Sequence, residues 1–161
     1  MRLGACTTWV ALLMLTDLVT RAWWPREWPL VDPCLVGLMW LALYDRRSRV
    51  HLLVALVAIL RTTFGLDGLL TAWLPLALAV EMVLAMRFFF DLRYARFRFP
   101  CVWVVAVTAV IALSLLRGIS TNAWTHTWMV AATCTTGAAI LAFPIFDALR
   151  PVLRSPRHPL R

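Results

Sequence analysis

The chain has 161 residues, 62% of them hydrophobic, and a formal net charge of +8 in which every basic residue is arginine. Soluble domains are about 45–50% apolar; here the excess lies in long blocks separated by short arginine clusters, which excludes an ordinary soluble core and points to a polytopic membrane protein in one compact domain. A nucleic-acid partner is not expected, because positively charged loops on one side of a membrane produce the same basic excess.

The first apolar block runs from about Leu3 to Thr20. Its "LGAC" looks like a lipoprotein cleavage box, but it precedes the apolar stretch instead of following it, and no A-x-A-like site comes after. An uncleaved first span is therefore expected. Asp17 and Arg21 stand four residues apart near its end and read as a local pair. The linker "AWWPREWP" follows. The second block opens with Asp32-Pro33, an N-cap acid ahead of proline at the first helical position, and ends early, at Tyr44.

The third block begins near Val50 and runs into "RTTFGLDG", residues 61–68, which interrupts an otherwise apolar region. Gly65 and Gly68 permit a tight reversal, Asp67 is placed to cap the next helix, and Arg61 sits inside the end of the third span, where it must snorkel outward or pair with an acid. A short turn between antiparallel helices accounts for most of the interruption. The fourth block, Gly68 to Met86, contains Glu81. An intramembrane acid is a functional candidate by default, and pairing with an arginine near the interface is the simpler reading. The fifth block is Cys101 to Leu116. The sixth runs from about Trp124 to Leu149 with Pro144 near its end, and holds "AATCTTGAAILA", small and hydroxyl residues suited to close helix packing. Asp147 and Arg150 read as another local pair.

The expected fold is all-α: a bundle of about six transmembrane helices over residues 1–149, with a basic, proline-broken tail over 150–161 that faces lipid headgroups. With the N-terminus cytoplasmic, twelve arginines fall inside, and Arg21, Arg26, Arg61 and Arg117 fall outside. That asymmetry puts both termini in the cytoplasm. Trp23, Trp24, Trp28, Trp73, Trp124 and Trp128 then lie near the outer ends of spans, as an interfacial aromatic belt requires.

Catalysis is not expected. Ser114 has no histidine at its depth, since His51, His126 and His158 fall near the surfaces or in the tail. Asp17, Asp67, Glu81, Asp91 and Asp147 are scattered, and no phosphate-binding loop is present. Cys6, Cys34, Cys101 and Cys134 form no C-x-x-C pair and have no histidine at ligand spacing, so neither metal nor cofactor is expected.

The layout resembles the MreD family, the small integral membrane subunit of the bacterial rod-shape (elongasome) system. The resemblance rests on "DPCLVGLMWLALY", the basic turn "DRRSRV", the span and turn "LVAILRTTFGLDGLL", the basic-aromatic end "AMRFFFDLR" and the proline before a basic C-terminus in "FPIFDALRPVLR". It departs where the family carries an aspartate within the third span, a place taken here by Arg61. The resemblance implies a non-catalytic scaffold of the bacterial inner membrane that binds an MreC-like bitopic protein and other peptidoglycan-elongation proteins. It also implies a fold like that of the substrate-binding subunits of energy-coupling-factor transporters, which makes a vitamin-type transport subunit the alternative. The residues expected to meet a partner are Trp23, Trp24, Trp28, Arg61, Phe64 and Trp73, because exposed aromatics around an arginine have the composition of interface hot spots; headgroup anchoring is the rival reading.

Overall fold

A computed structural model of the chain describes residues 3–23, 31–66, 68–90, 92, 94–116 and 124–153; within these, side chains are described except at 3–6, 95–96, 124–128 and 150–153. Among the described residues six helices follow one another: α1 (Leu3–Trp23), α2 (Pro33–Tyr44), α3 (Arg47–Thr63), α4 (Leu69–Phe89), α5 (Ala95–Leu116) and α6 (Trp124–Leu153). The all-α bundle expected from the apolar blocks is what forms. Among the described residues, 69–89, 97–116 and 129–149 are long and apolar enough to cross a membrane.

Helix α2 organises the packing. Asp32 caps it, accepting a 3.0 Å hydrogen bond from Leu35 N–H, and Pro33 occupies its first turn. Its composition is apolar around the whole circumference, and such a helix has no solvent face to present. Every residue from Cys34 to Ala42 is accordingly buried. At 12 residues it is about 18 Å long, short of a hydrocarbon thickness of about 30 Å. It serves as a central post against which α1, α3, α4 and α6 all pack. Gly37 brings α1 close: a Cβ there would lie 2.5 Å from Leu13 Cδ2.

Helix α3 ends in a Schellman motif. Gly65 takes φ +66°, its N–H donates to Thr62 C=O at 3.0 Å, and Leu66 N–H donates to Arg61 C=O at 3.0 Å. Those bonds satisfy carbonyls the helix leaves open. Gly68, by contrast, has φ −68° and is the N-cap of α4, with no side-chain cap bond. Of the two glycines expected to permit the reversal, only Gly65 uses the left-handed region. The Asp67 cap expected for α4 falls on a residue outside those described, and Gly68 stands at the cap position.

Prolines sit inside the later helices. Pro75 lies within α4, and Pro100 within α5, which begins at Ala95, ahead of the Cys101 start expected from hydropathy. Helix α6 continues past Pro144 to Leu153. Packed membrane helices tolerate such positions because neighbouring groups re-satisfy the backbone.

At one end of the bundle α1 and α3 finish and α2 and α4 begin; the opposite end carries Arg46, Arg47, Arg49 and Arg87. Near that arginine-rich end, Phe146 meets Trp9 and Trp40 edge-on and the two indoles are tilted against each other, with centroids 4.6–5.6 Å apart. Trp40 Nε1 donates to Asp147 at 2.9 Å, and Arg98 binds the same carboxylate at 3.1 Å and the Tyr44 hydroxyl at 3.3 Å. The Asp147–Arg150 pair expected within one helix involves an arginine whose side chain lies outside those described; among the described side chains Asp147 has partners on α2 and α5, because the carboxylate turns toward an indole N–H that would otherwise be buried unpaired.

Gly65→Ala should lose about 1–2 kcal/mol, the cost of a left-handed residue with a Cβ. Gly68→Ala should change stability by less than half as much. Denaturant titration in mixed micelles checks this; equal losses for the two would contradict the turn assignment.

Candidate functional site

Three helices meet at the quartet Asp17, Arg21, Asp32 and Arg61. Arg61 is only 3% exposed, although it lies in the last turn of α3 where an arginine ordinarily reaches for water. The reason is countercharge. Arg61 Nη1 donates to Asp32 Oδ2 at 2.9 Å and Nη2 to Asp32 Oδ1 at 2.6 Å, the bidentate fork that guanidinium and carboxylate geometry favours. Nε donates to Asp17 Oδ2 at 3.1 Å. The other oxygen of Asp17, which is fully buried, accepts from Arg21 Nε at 3.1 Å. The group is formally neutral.

Each helix supplies its part for a local reason. Asp32 is available because a cap residue points its carboxylate back over the first turn of α2, so one side chain both caps that helix and receives Arg61. Arg61 is the residue whose carbonyl closes the Schellman motif, which fixes its position in the final turn. Asp17 and Arg21 form the i,i+4 pair expected from sequence, but Asp17 also reaches 44 residues along the chain to Arg61. The signal was present: an arginine and an acid each interrupt a separate apolar run at the same depth.

The quartet borders a cavity of about 140 Å³ that also touches Thr71, Pro75 and Thr135. Sites for drug-sized ligands are typically about 300–1,000 Å³, so this space suits a few waters. Two larger openings are apolar. One, about 420 Å³, runs along the seam between α1 and α6 with α2 as its floor, lined by Trp9, Leu12, Thr16, Val36, Ala142 and Phe146 among others. The second, about 460 Å³, lies between α3 and the start of α4, where Trp73 faces Ala55, Ala58 and Ile59.

The residues expected to meet a partner divide accordingly. Trp23 is 87% exposed at the end of α1, and Phe64 and Trp73 are exposed at the same end of the bundle. Arg61 does not join them: burial among two carboxylates removes it from the surface, which corrects its placement among exposed aromatics. Trp24, Trp28 and Asp67 lie outside the described residues. Glu81 joins Arg47 through bonds of 2.8 Å to both of its oxygens and lies 2.6 Å from His51 Nε2. This is an exposed cross-link between α3 and α4 at the arginine-rich end, in keeping with the simpler of its two readings. Cys34 is buried, and Cys101 and Cys134 are half-buried and free.

Compared with protein-family models, with curated proteins and with solved structures, the chain matches none.

Two outcomes follow from the charges. Arg61→Leu should cost about 3–5 kcal/mol, because it strands two carboxylates in the interior. Adding Asp17→Leu should return part of that loss, and a strictly additive double variant in a mixed-micelle unfolding cycle would contradict the network. Glu81→Gln should shift stability by no more than about 1 kcal/mol, as exposed ion pairs do; a larger loss in the same assay would show that Glu81 does more than bridge two helices.

Proposed function

We propose that the chain is a non-catalytic integral membrane scaffold of the bacterial cell-shape and peptidoglycan-elongation machinery, MreD-like, that binds the membrane helix of a bitopic partner such as an MreC-like protein. The observation that supports this reading is the contrast between openings. Beside the quartet, at the end this reading places outside, the polar space is about 140 Å³, too small for a vitamin-sized ligand, whereas two apolar openings of about 420 and 460 Å³ suit side chains of a packing helix. Exposed Phe64 and Trp73 add aromatic anchors of the kind interfaces use. In this reading the protein sits in the bacterial inner membrane with both termini cytoplasmic, as the arginine asymmetry favours.

Affinity purification of the full chain in mild detergent tests it. Co-purifying cell-wall elongation proteins are expected. An ATPase pair with a transmembrane coupling subunit would instead identify a transport subunit. Phe64→Asp should reduce recovery of the bitopic partner at least about fivefold, the effect of losing a hot-spot contact above 1 kcal/mol, while membrane insertion stays intact. Unchanged recovery would move the docking surface to the α1–α6 seam.

A further inference from the structure

The arginine-rich end of the bundle contains an opening that the scaffold reading leaves unused. About 710 Å³ of space lies between the end of α2, the start of α3 and the end of α4. Arg46, Arg47 and Arg87 line it, and so do Phe88 and Phe89. We propose that this opening binds the phosphate headgroup of an anionic phospholipid, whose acyl chains lie against the two phenylalanines.

Charge supplies the first part. The acids at the opening are Asp45 and Glu81. Glu81 is already held on both oxygens by Arg47 and approached by His51. Asp45 accepts the Arg46 backbone N–H at 2.8 Å and faces Arg49 at 3.8 Å. The cations therefore outnumber the acids. Arg46 is exposed, and its guanidinium makes no hydrogen bond or ion pair with the described residues.

Preorganisation supplies the second. Arg87 Nη1 donates to Ala42 C=O at 2.6 Å and Asp45 C=O at 3.1 Å, which pins the guanidinium across the end of α2. Helix α3 begins at Arg47 with no side-chain cap, Arg46 and Arg47 at that start both line the opening, and the start of a helix favours phosphate oxygens, although the Asp45 carboxylate already takes the Arg46 backbone N–H there.

The phenylalanines decide between lipid and free phosphate. Phe88 is 89% exposed and Phe89 is 82% exposed. Inorganic phosphate would occupy a small part of 710 Å³ and leave both rings uncovered, whereas a phospholipid brings an anion and apolar chains together. Basic openings at the ends of membrane helices recognise anionic headgroups in this way.

The test uses the full chain in neutral detergent, equilibrated with equal amounts of phosphatidylglycerol and phosphatidylcholine, with retained lipid read by native mass spectrometry. The wild type should retain phosphatidylglycerol in preference. Arg46→Gln should lower that preference about fivefold, the effect of one arginine near an anionic headgroup, while Arg154→Gln with Arg157→Gln in the tail leaves it unchanged. Arg46 is chosen because it holds no partner whose loss would disturb the fold. Equal retention of the two lipids by the wild type overturns the proposal. So does an unchanged preference in the Arg46 variant, a matching loss in the tail variant, or displacement of the lipid by millimolar inorganic phosphate.

Discussion

An arginine buried in an apolar bundle must bring its countercharge with it. A charged side chain at the centre of a membrane helix costs about 2.5–3.5 kcal/mol even by insertion scales, and a stranded buried charge costs more in a packed interior. Arg61 meets that demand with two carboxylates from two other helices, at 2.6–3.1 Å. Much of the architecture follows. Asp32 has to start α2 beside the end of α3, and Asp17 has to lie on the α1 face turned inward. A one-turn slip of any of the three helices, about 5.4 Å, would break those bonds. Apolar surfaces alone are permissive about sliding; a set of directional charge-assisted bonds is not. The quartet thus fixes which depths of α1, α2 and α3 face each other.

Once α2 is held at its start, its short length determines the rest. A helix too short to span the hydrocarbon alone has to be enclosed, and α1, α3, α4 and α6 enclose it. Its far end is secured separately, by Arg87 across the terminal carbonyls and by the Trp40–Asp147–Arg98 contacts. The enclosure is looser between α1 and α6, which leaves the apolar seam over α2. In a membrane, lipid chains or another helix will fill such a seam.

Helix positions were largely legible in the sequence, because each apolar block has a physical start or stop signal: Asp32-Pro33 for α2, Gly65 for the end of α3, the arginine clusters between α2 and α3 and after α4. The α2 cap and the α3 turn could be read because they depend on residues adjacent in sequence. Partners distant in sequence could not be read in the same way. Asp17 and Asp147 each have an arginine one turn away, and the local pair is the economical reading. Only the fold reveals that Asp17 also binds Arg61 and that Asp147 serves Trp40 and Arg98. For Arg61 the sequence leaves two readings open, snorkelling outward or pairing with an acid, and the structure shows the pairing; hydropathy reports how far along a span a charge lies and not which way it points. The basic-aromatic end of α4 was visible as composition, and its opening required three helix ends to be placed together.

Arg61 holds α1, α2 and α3 to one another at a single depth. Hydrogen–deuterium exchange on the wild type and on Arg61→Gln in the same micelles tests it most directly. Exchange should accelerate in the variant at residues 17–23, 33–37 and 57–63, while residues 97–116 of α5 and 129–149 of α6 keep wild-type protection. Uniform acceleration along all six helices, or no change near Asp17 and Asp32, would contradict it.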